Sequence, residues 1–153
     1  MNTKRKTPKI SLLICAYNEE KYIKDCLDFA IKNSNNSFHE IIVVNNASTD
    51  RTAEIVSSFK KYNVRLVTEN RKGLMLARQK AFLEAQGDIL AFIDADTRME
   101  KGWYEKIVYE YNGDPNLVCL SGPYIYYDTS MLHKFFVKIY WYLLAIPSYW
   151  FVS

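Results

Sequence analysis

Asp94 and Asp96 stand one residue apart at the end of an apolar run, Ile89-Leu90-Ala91-Phe92-Ile93. Such a run reads as a strand buried on both faces of a parallel sheet, and in open α/β sheets ligands bind just beyond the strand carboxyl ends. Two carboxylates at that place repel each other unless a cation lies between them. Hard oxygen ligands suit Mg²⁺ or Mn²⁺. A divalent ion held this way commonly carries a phosphate, which points to a phosphorylated or nucleotide substrate. The plainer reading is that the two acids end the strand and cap the following turn.

The elements needed to position the pair are legible upstream. Ser11–Ala16 is a first apolar strand, followed by the polar turn Tyr17-Asn18-Glu19-Glu20. Ile23, Cys26, Leu27, Ala30 and Ile31 then follow the spacing of one buried helical face. Ile41–Val44 is a second, β-branched strand that stops at Asn45-Asn46. Ser48, Thr49 and Asp50 are good N-cap residues for a second helix, buried through Ile55, Val56 and Phe59. Val64–Thr68 is a third strand. Gly73 introduces a helix with Leu74, Ala77, Ala81, Phe82 and Ala85 along one side, and Gly87-Asp88 leads into the strand ending at Asp94. The order β-α-β-α-β-α-β with short connections predicts a Rossmann-like, mostly parallel sheet with helices on both faces. Beyond Asp96, Trp103–Tyr111 reads as a helix and Leu117–Leu120 as a candidate strand. Residues 1–8 form a basic leader, 9–130 the binding domain and 131–153 an aromatic segment.

Composition narrows the class. The chain has 153 residues, enough for one domain with a real core, and its net charge of +3 is too small to imply nucleic-acid binding. The basic leader lacks the apolar stretch of a signal peptide, so a cytoplasmic domain is expected. Cys15, Cys26 and Cys119 show no zinc or redox spacing and read as buried reduced thiols. His39 and His133 read as structural or surface residues.

Four blocks occur in order: Cys15-Ala16-Tyr17-Asn18-Glu19-Glu20; Val43-Val44-Asn45-Asn46-Ala47-Ser48-Thr49-Asp50-Arg51-Thr52; Lys72-Gly73-Leu74 with Ala77-Arg78; and Gly87-Asp88 leading to Asp94-Ala95-Asp96-Thr97. Together they resemble the N-terminal, donor-binding half of a family 2 glycosyltransferase, an inverting enzyme of GT-A fold. The resemblance implies a nucleotide-diphosphate sugar as donor and Mn²⁺ or Mg²⁺ as cofactor. Carried over by position, Ala16, Tyr17 and Glu19 line the base and ribose. Asn45 and Asn46 stand where the family usually has aspartates, keeping hydrogen-bonding capacity without charge. Asp96 holds the metal, with Asp94 nearer the ribose or the metal's water shell. Lys72 and Arg78 add positive charge, although Arg78 also reads as a packing or ion-pair residue. Glu19 and Glu20 have a plainer reading as first-turn acids favoured by the helix dipole, and Tyr17 as an aromatic lid.

The family's general base, usually an Asp or Glu, is expected beyond Ser153, so a donor-binding fragment without catalysis is the principal alternative. Haloacid-dehalogenase-type phosphatases also place Asp-x-Asp after an apolar strand. Their pattern wants a threonine two residues after the second aspartate, where this chain has Arg98, and puts the motif on the first strand rather than the fourth. The segment 131–153 has three readings: core against a missing half, an amphipathic helix on a membrane surface, or part of a site for a glycan or lipid-linked acceptor. Lys134 and Lys138, set among aromatic residues, suit the second. The uncharged run from Ile139 to Val152 falls short of the roughly 20 residues that cross a bilayer.

Overall fold

The computed structural model describes residues 7–114, 116–122 and 131–140. The four apolar runs form strands β1 (Ile10–Ala16), β2 (Glu40–Asn45), β3 (Val64–Thr68) and β4 (Ile89–Asp94). The segments between and after them form helices α1 (Ile23–Asn33), α2 (Thr52–Ser57), α3 (Leu74–Glu84) and α4 (Trp103–Gly113). All strand pairs are parallel, in the order β3-β2-β1-β4.

Side chains alternate across a strand, so a sheet covered on both faces needs apolar residues at every position. On one face Leu12, Ile14, Ile41 and Val43 pack against Ile23, Cys26 and Leu27 of α1, Val56 of α2 and Ile107 of α4. On the other, Leu13, Ile42 and Val44 meet Ala77 and Ala81 of α3. The expected α/β fold with helices on both faces is therefore present.

The chain steps from β1 to β2 to β3 in one direction, then crosses back to lay β4 on the opposite side of β1. The strand order reverses at β1, with β2 on one side and β4 on the other, and a crevice lies at the carboxyl ends of β1 and β4, where Cys15 is in register with Asp94. At the amino end, Ser11 donates to Glu40 Oε1 at 2.7 Å, and Glu40 also accepts the Gln86 backbone N–H at 2.7 Å and Arg65 at 3.2 Å. Gly87 passes so close to this corner that a Cβ on it would lie 2.7 Å from the Ser11 backbone nitrogen.

Four details differ from the sequence reading. β4 is the edge strand beyond β1, and Phe92 on it is 41% exposed, so the run expected to be buried on both faces is only partly covered. Phe82 and Leu74 are 60% and 52% exposed, because α3 lies across β1 and β2 and turns only its alanines to the sheet. Leu117–Leu120 forms no strand; it begins a second compact unit, Leu117–Ser153, and Val118 there is exposed. Cys119 is exposed and Cys15 half-buried, so only Cys26 is the buried thiol expected of all three.

The described part of the second unit contains helix α5 (Met131–Tyr140), which exposes Leu132, Phe135, Phe136 and Tyr140. Among the described residues, no helix is long and apolar enough to cross a membrane. The uncharged run from Ile139 onward falls mostly outside the described residues.

Candidate functional site

A cavity of about 590 Å³ occupies the crevice beyond β1 and β4. Its walls come from the four blocks read in the sequence. Ala16 ends β1, and Tyr17 and Glu19 follow it; Asn46 follows β2; Lys72 precedes α3; Asp94 ends β4, and Asp96 follows it. Asn45 and Arg78 do not line it. Cys15, Gly73, Leu74, Ala77 and Ala95 complete the wall, a place the sequence does not assign to them. Their signal is membership of the four blocks, where each neighbours a nominated residue or lies one helical turn away.

The two loops at the mouth are locked together. Asn18, in the left-handed region at φ 56°, accepts the Thr49 backbone N–H at 2.8 Å through Oδ1, and its own N–H donates to Ser48 Oγ at 3.0 Å. Glu19 and Glu20 donate their N–H groups to Thr52 Oγ1 at 2.8 Å and Asp50 Oδ2 at 3.0 Å. Arg51 N–H returns a bond to Glu20 Oε2. Ser48 and Thr49 thus serve the β1–α1 loop and not the start of α2, contrary to their reading as caps. Of the three, Asp50 alone also accepts an α2 amide, that of Thr52, at 3.0 Å. Glu20 belongs to this clasp and lies outside the cavity wall.

Asn46 is buried, and its amide is fully engaged. Nδ2 donates to the carbonyls of Glu69 at 3.2 Å and Arg71 at 2.7 Å, and Oδ1 accepts the Gly73 N–H at 2.8 Å. That set pins the loop before α3, in which Gly73 adopts φ 145°, a conformation L side chains rarely take. Asn45 Oδ1 accepts the Ser48 N–H at 3.2 Å. In this arrangement both asparagines support loops.

Charge is concentrated on the other wall. Burial raises the Glu19 carboxyl above its ordinary value, and the nearby carboxylates of Asp96, Asp50 and Asp94 raise it further. Lys72 Nζ donates to Tyr17 Oη at 2.9 Å and lies 4.9 Å from the Tyr17 ring centre, joining the β1–α1 loop to the loop before α3. Arg78 stands 3.6 Å from Asp94 Oδ1, a loose and exposed pair. Burial pushes the Cys15 thiol up to about 11 and the Cys26 thiol to about 12, which disfavours the thiolate at neutral pH.

Among the described residues, no three His, Cys, Asp or Glu side chains are placed to hold a metal by themselves. The donor set fits a divalent ion bound in the manner of Mg²⁺, through one or two carboxylates with phosphate and water completing the shell. Asp94 and Asp96 supply that minimum.

Comparison with known proteins bears on the family and the fold. The model of glycosyl transferase family 2 matches residues 11–144. EpsH of Bacillus subtilis strain 168, named a glycosyltransferase, is 32% identical over 126 residues, covering 81% of this chain and 36% of that protein. Among solved structures, Staphylococcus aureus TarS 1–349 in complex with UDP-GlcNAc superposes with a TM-score of 0.64 at 23% identity, over 79% of this chain and 38% of that one. At that identity the likeness concerns the GT-A fold alone. Glucosyl-3-phosphoglycerate synthase of Mycobacterium tuberculosis, in complex with Mn²⁺, UDP and phosphoglyceric acid, gives 0.51 at 27% identity, over 57% and 33%. The chain thus spans between a third and two fifths of each of these proteins.

Proposed function

The chain belongs to glycosyl transferase family 2, and from that premise we propose that it forms the donor site of an inverting, metal-assisted glycosyltransferase. The donor is a nucleotide-diphosphate sugar. The observation that carries this reading is the convergence of Asp94 and Asp96 with Tyr17, Glu19 and Lys72 on one cavity at the sheet's switch point. The Mn²⁺ and UDP found with the mycobacterial synthase support it.

Each residue has a role consistent with its place. Ala16 offers a flat wall and Tyr17 a ring face for the base, while Glu19 lies within reach of the ribose. Asp96 and Asp94 hold the divalent ion. Bound there, Mn²⁺ or Mg²⁺ would act as a Lewis acid on the departing diphosphate. Lys72 and Arg78 bring positive charge to the same wall once they leave Tyr17 and Asp94. Asn46, on the wall itself, and Asn45, behind it, hold the loops that present the other groups, and Asn46 keeps its place beside the donor. The base that deprotonates the acceptor is assigned to no residue of this chain. A glycan or lipid-linked acceptor, and contact of 131–153 with the cytoplasmic membrane surface, belong to the same proposal; the apolar residues exposed on α5 support them.

Titration with UDP-, GDP- and dTDP-sugars, with and without Mn²⁺ or Mg²⁺, tests the reading. Binding of at least one donor is expected to need the ion. Asp96→Asn is expected to weaken it by at least about tenfold, since even outer-shell partners of metal sites commonly cost roughly 10- to 100-fold. A folded protein that binds none of these donors with either ion would sink the proposal.

A further inference from the structure

We propose that Thr52, buried behind the cavity wall, is a positioning residue that sets Glu19 toward the two strand-end aspartates. Thr52 opens α2 and its side chain is fully buried. A threonine at a helix start ordinarily turns its hydroxyl to its own helix backbone. Here Oγ1 accepts the Glu19 backbone N–H at 2.8 Å, crossing from one loop to the other, and donates to Asp50 Oδ1 at 2.5 Å. Asp50 is fixed in turn by the N–H groups of Thr52 and Glu20, both at 3.0 Å. One relay therefore holds two successive amides of the loop that carries Glu19.

The consequence follows from what those amides need. A backbone N–H deprived of its acceptor either stays unpaired at a cost or moves to find water. The first weakens the hold on the loop, and the second shifts the backbone from which the Glu19 side chain departs into the cavity. Thr52 does not itself line the cavity, yet it governs where a third carboxylate stands relative to Asp94 and Asp96. Its hydroxyl can do both jobs, as one donor with lone pairs to spare.

The inference rests on the donor-site reading above, and the experiment separates the two. Binding of UDP, GDP and dTDP is measured with Mn²⁺ for wild type, Thr52→Val, Thr52→Ser, Glu19→Gln and the Thr52→Val/Glu19→Gln double variant. Valine keeps the shape and removes the hydroxyl. Thr52→Val is expected to weaken nucleotide binding roughly tenfold, as loss of one hydrogen bond to a buried amide allows. Thr52→Ser is expected to stay within about twofold of wild type, and the Thr52→Val effect to shrink below about twofold when Glu19 is already Gln. Wild-type affinity in Thr52→Val overturns the inference, and so does an equal loss in both backgrounds. If Thr52→Val does not fold, Asp50→Ala removes the hydroxyl's acceptor and is put through the same cycle, where the same two results overturn the inference. A wild-type protein that binds none of the three nucleotides overturns the donor reading and this inference with it.

Discussion

Arg78 and Asp94 show how a site group divides its allegiance. The pair is loose at 3.6 Å, and both side chains are substantially exposed, so its contribution to stability is small. Arg78→Gln should therefore change unfolding free energy by less than about 1 kcal/mol, read from denaturant midpoints. Binding should respond with opposite signs. Mn²⁺ alone should bind as well or better once the competing cation beside Asp94 is gone, whereas a nucleoside diphosphate should bind more weakly. Calorimetry with the metal and the nucleotide in turn checks both, and a common sign refutes the divided role. At this scale legibility depends on where a residue's partners lie in the chain. Asp94 and Asp96 announce themselves because charges interrupt an apolar strand. Asn46 is nominated by its place in the family pattern, and its supporting bonds could not be read beside it. Its partners, Glu69, Arg71 and Gly73, lie 23 to 27 residues later, where the chain returns.

Gly87, just before β4, illustrates the same point for elements. By sequence it only leads from the helix into the strand, a matter of local conformation. The structure adds a packing reason. A Cβ there would sit 2.7 Å from both the backbone nitrogen and Oγ of Ser11 and 2.8 Å from the Lys9 carbonyl oxygen, closer than real contacts allow. The Gly87 N–H also donates to Ser11 Oγ at 2.9 Å. Gly87→Ala should destabilise the protein by about 1–3 kcal/mol, the usual range for overpacking, as a lowered denaturant midpoint with little change in slope. Strands and long helices are legible because their hydrophobic period is set by burial against the sheet. The start of α2 is less so. Ser48-Thr49-Asp50 satisfies every local rule for a cap, and only the neighbouring β1–α1 loop, some 30 residues earlier, draws the side chains away.

The molecule as a whole separates two kinds of charge at the two ends of its sheet. The carboxyl end gathers acids around an open cavity. The amino end holds Glu40, whose acid is already answered. Burial alone would raise the Glu40 carboxyl, but the bonds from Ser11, the Gln86 N–H and Arg65, together with the guanidinium charge, outweigh it and hold the carboxyl below its ordinary value. The folded state therefore holds this proton more weakly than the unfolded chain. The stability it contributes is present above the ordinary carboxylate range and is lost as pH falls through and below that range. Thermal unfolding followed from neutral pH down to acid should show that loss, and Glu40→Gln should flatten it; an unchanged acid limb refutes the assignment. The order of the strands carries a further consequence, one of time. Ile10 finds its β4 partner in Ile89, 79 residues later, while β2 can pair with β1 much sooner. Long-range parallel pairings are slow to form because the connecting chain must be closed before any contact repays it. Both strand-end aspartates hang on that last strand. The wall that carries them thus needs the longest chain closure in the sheet, and a bound nucleotide would report that this closure has been made.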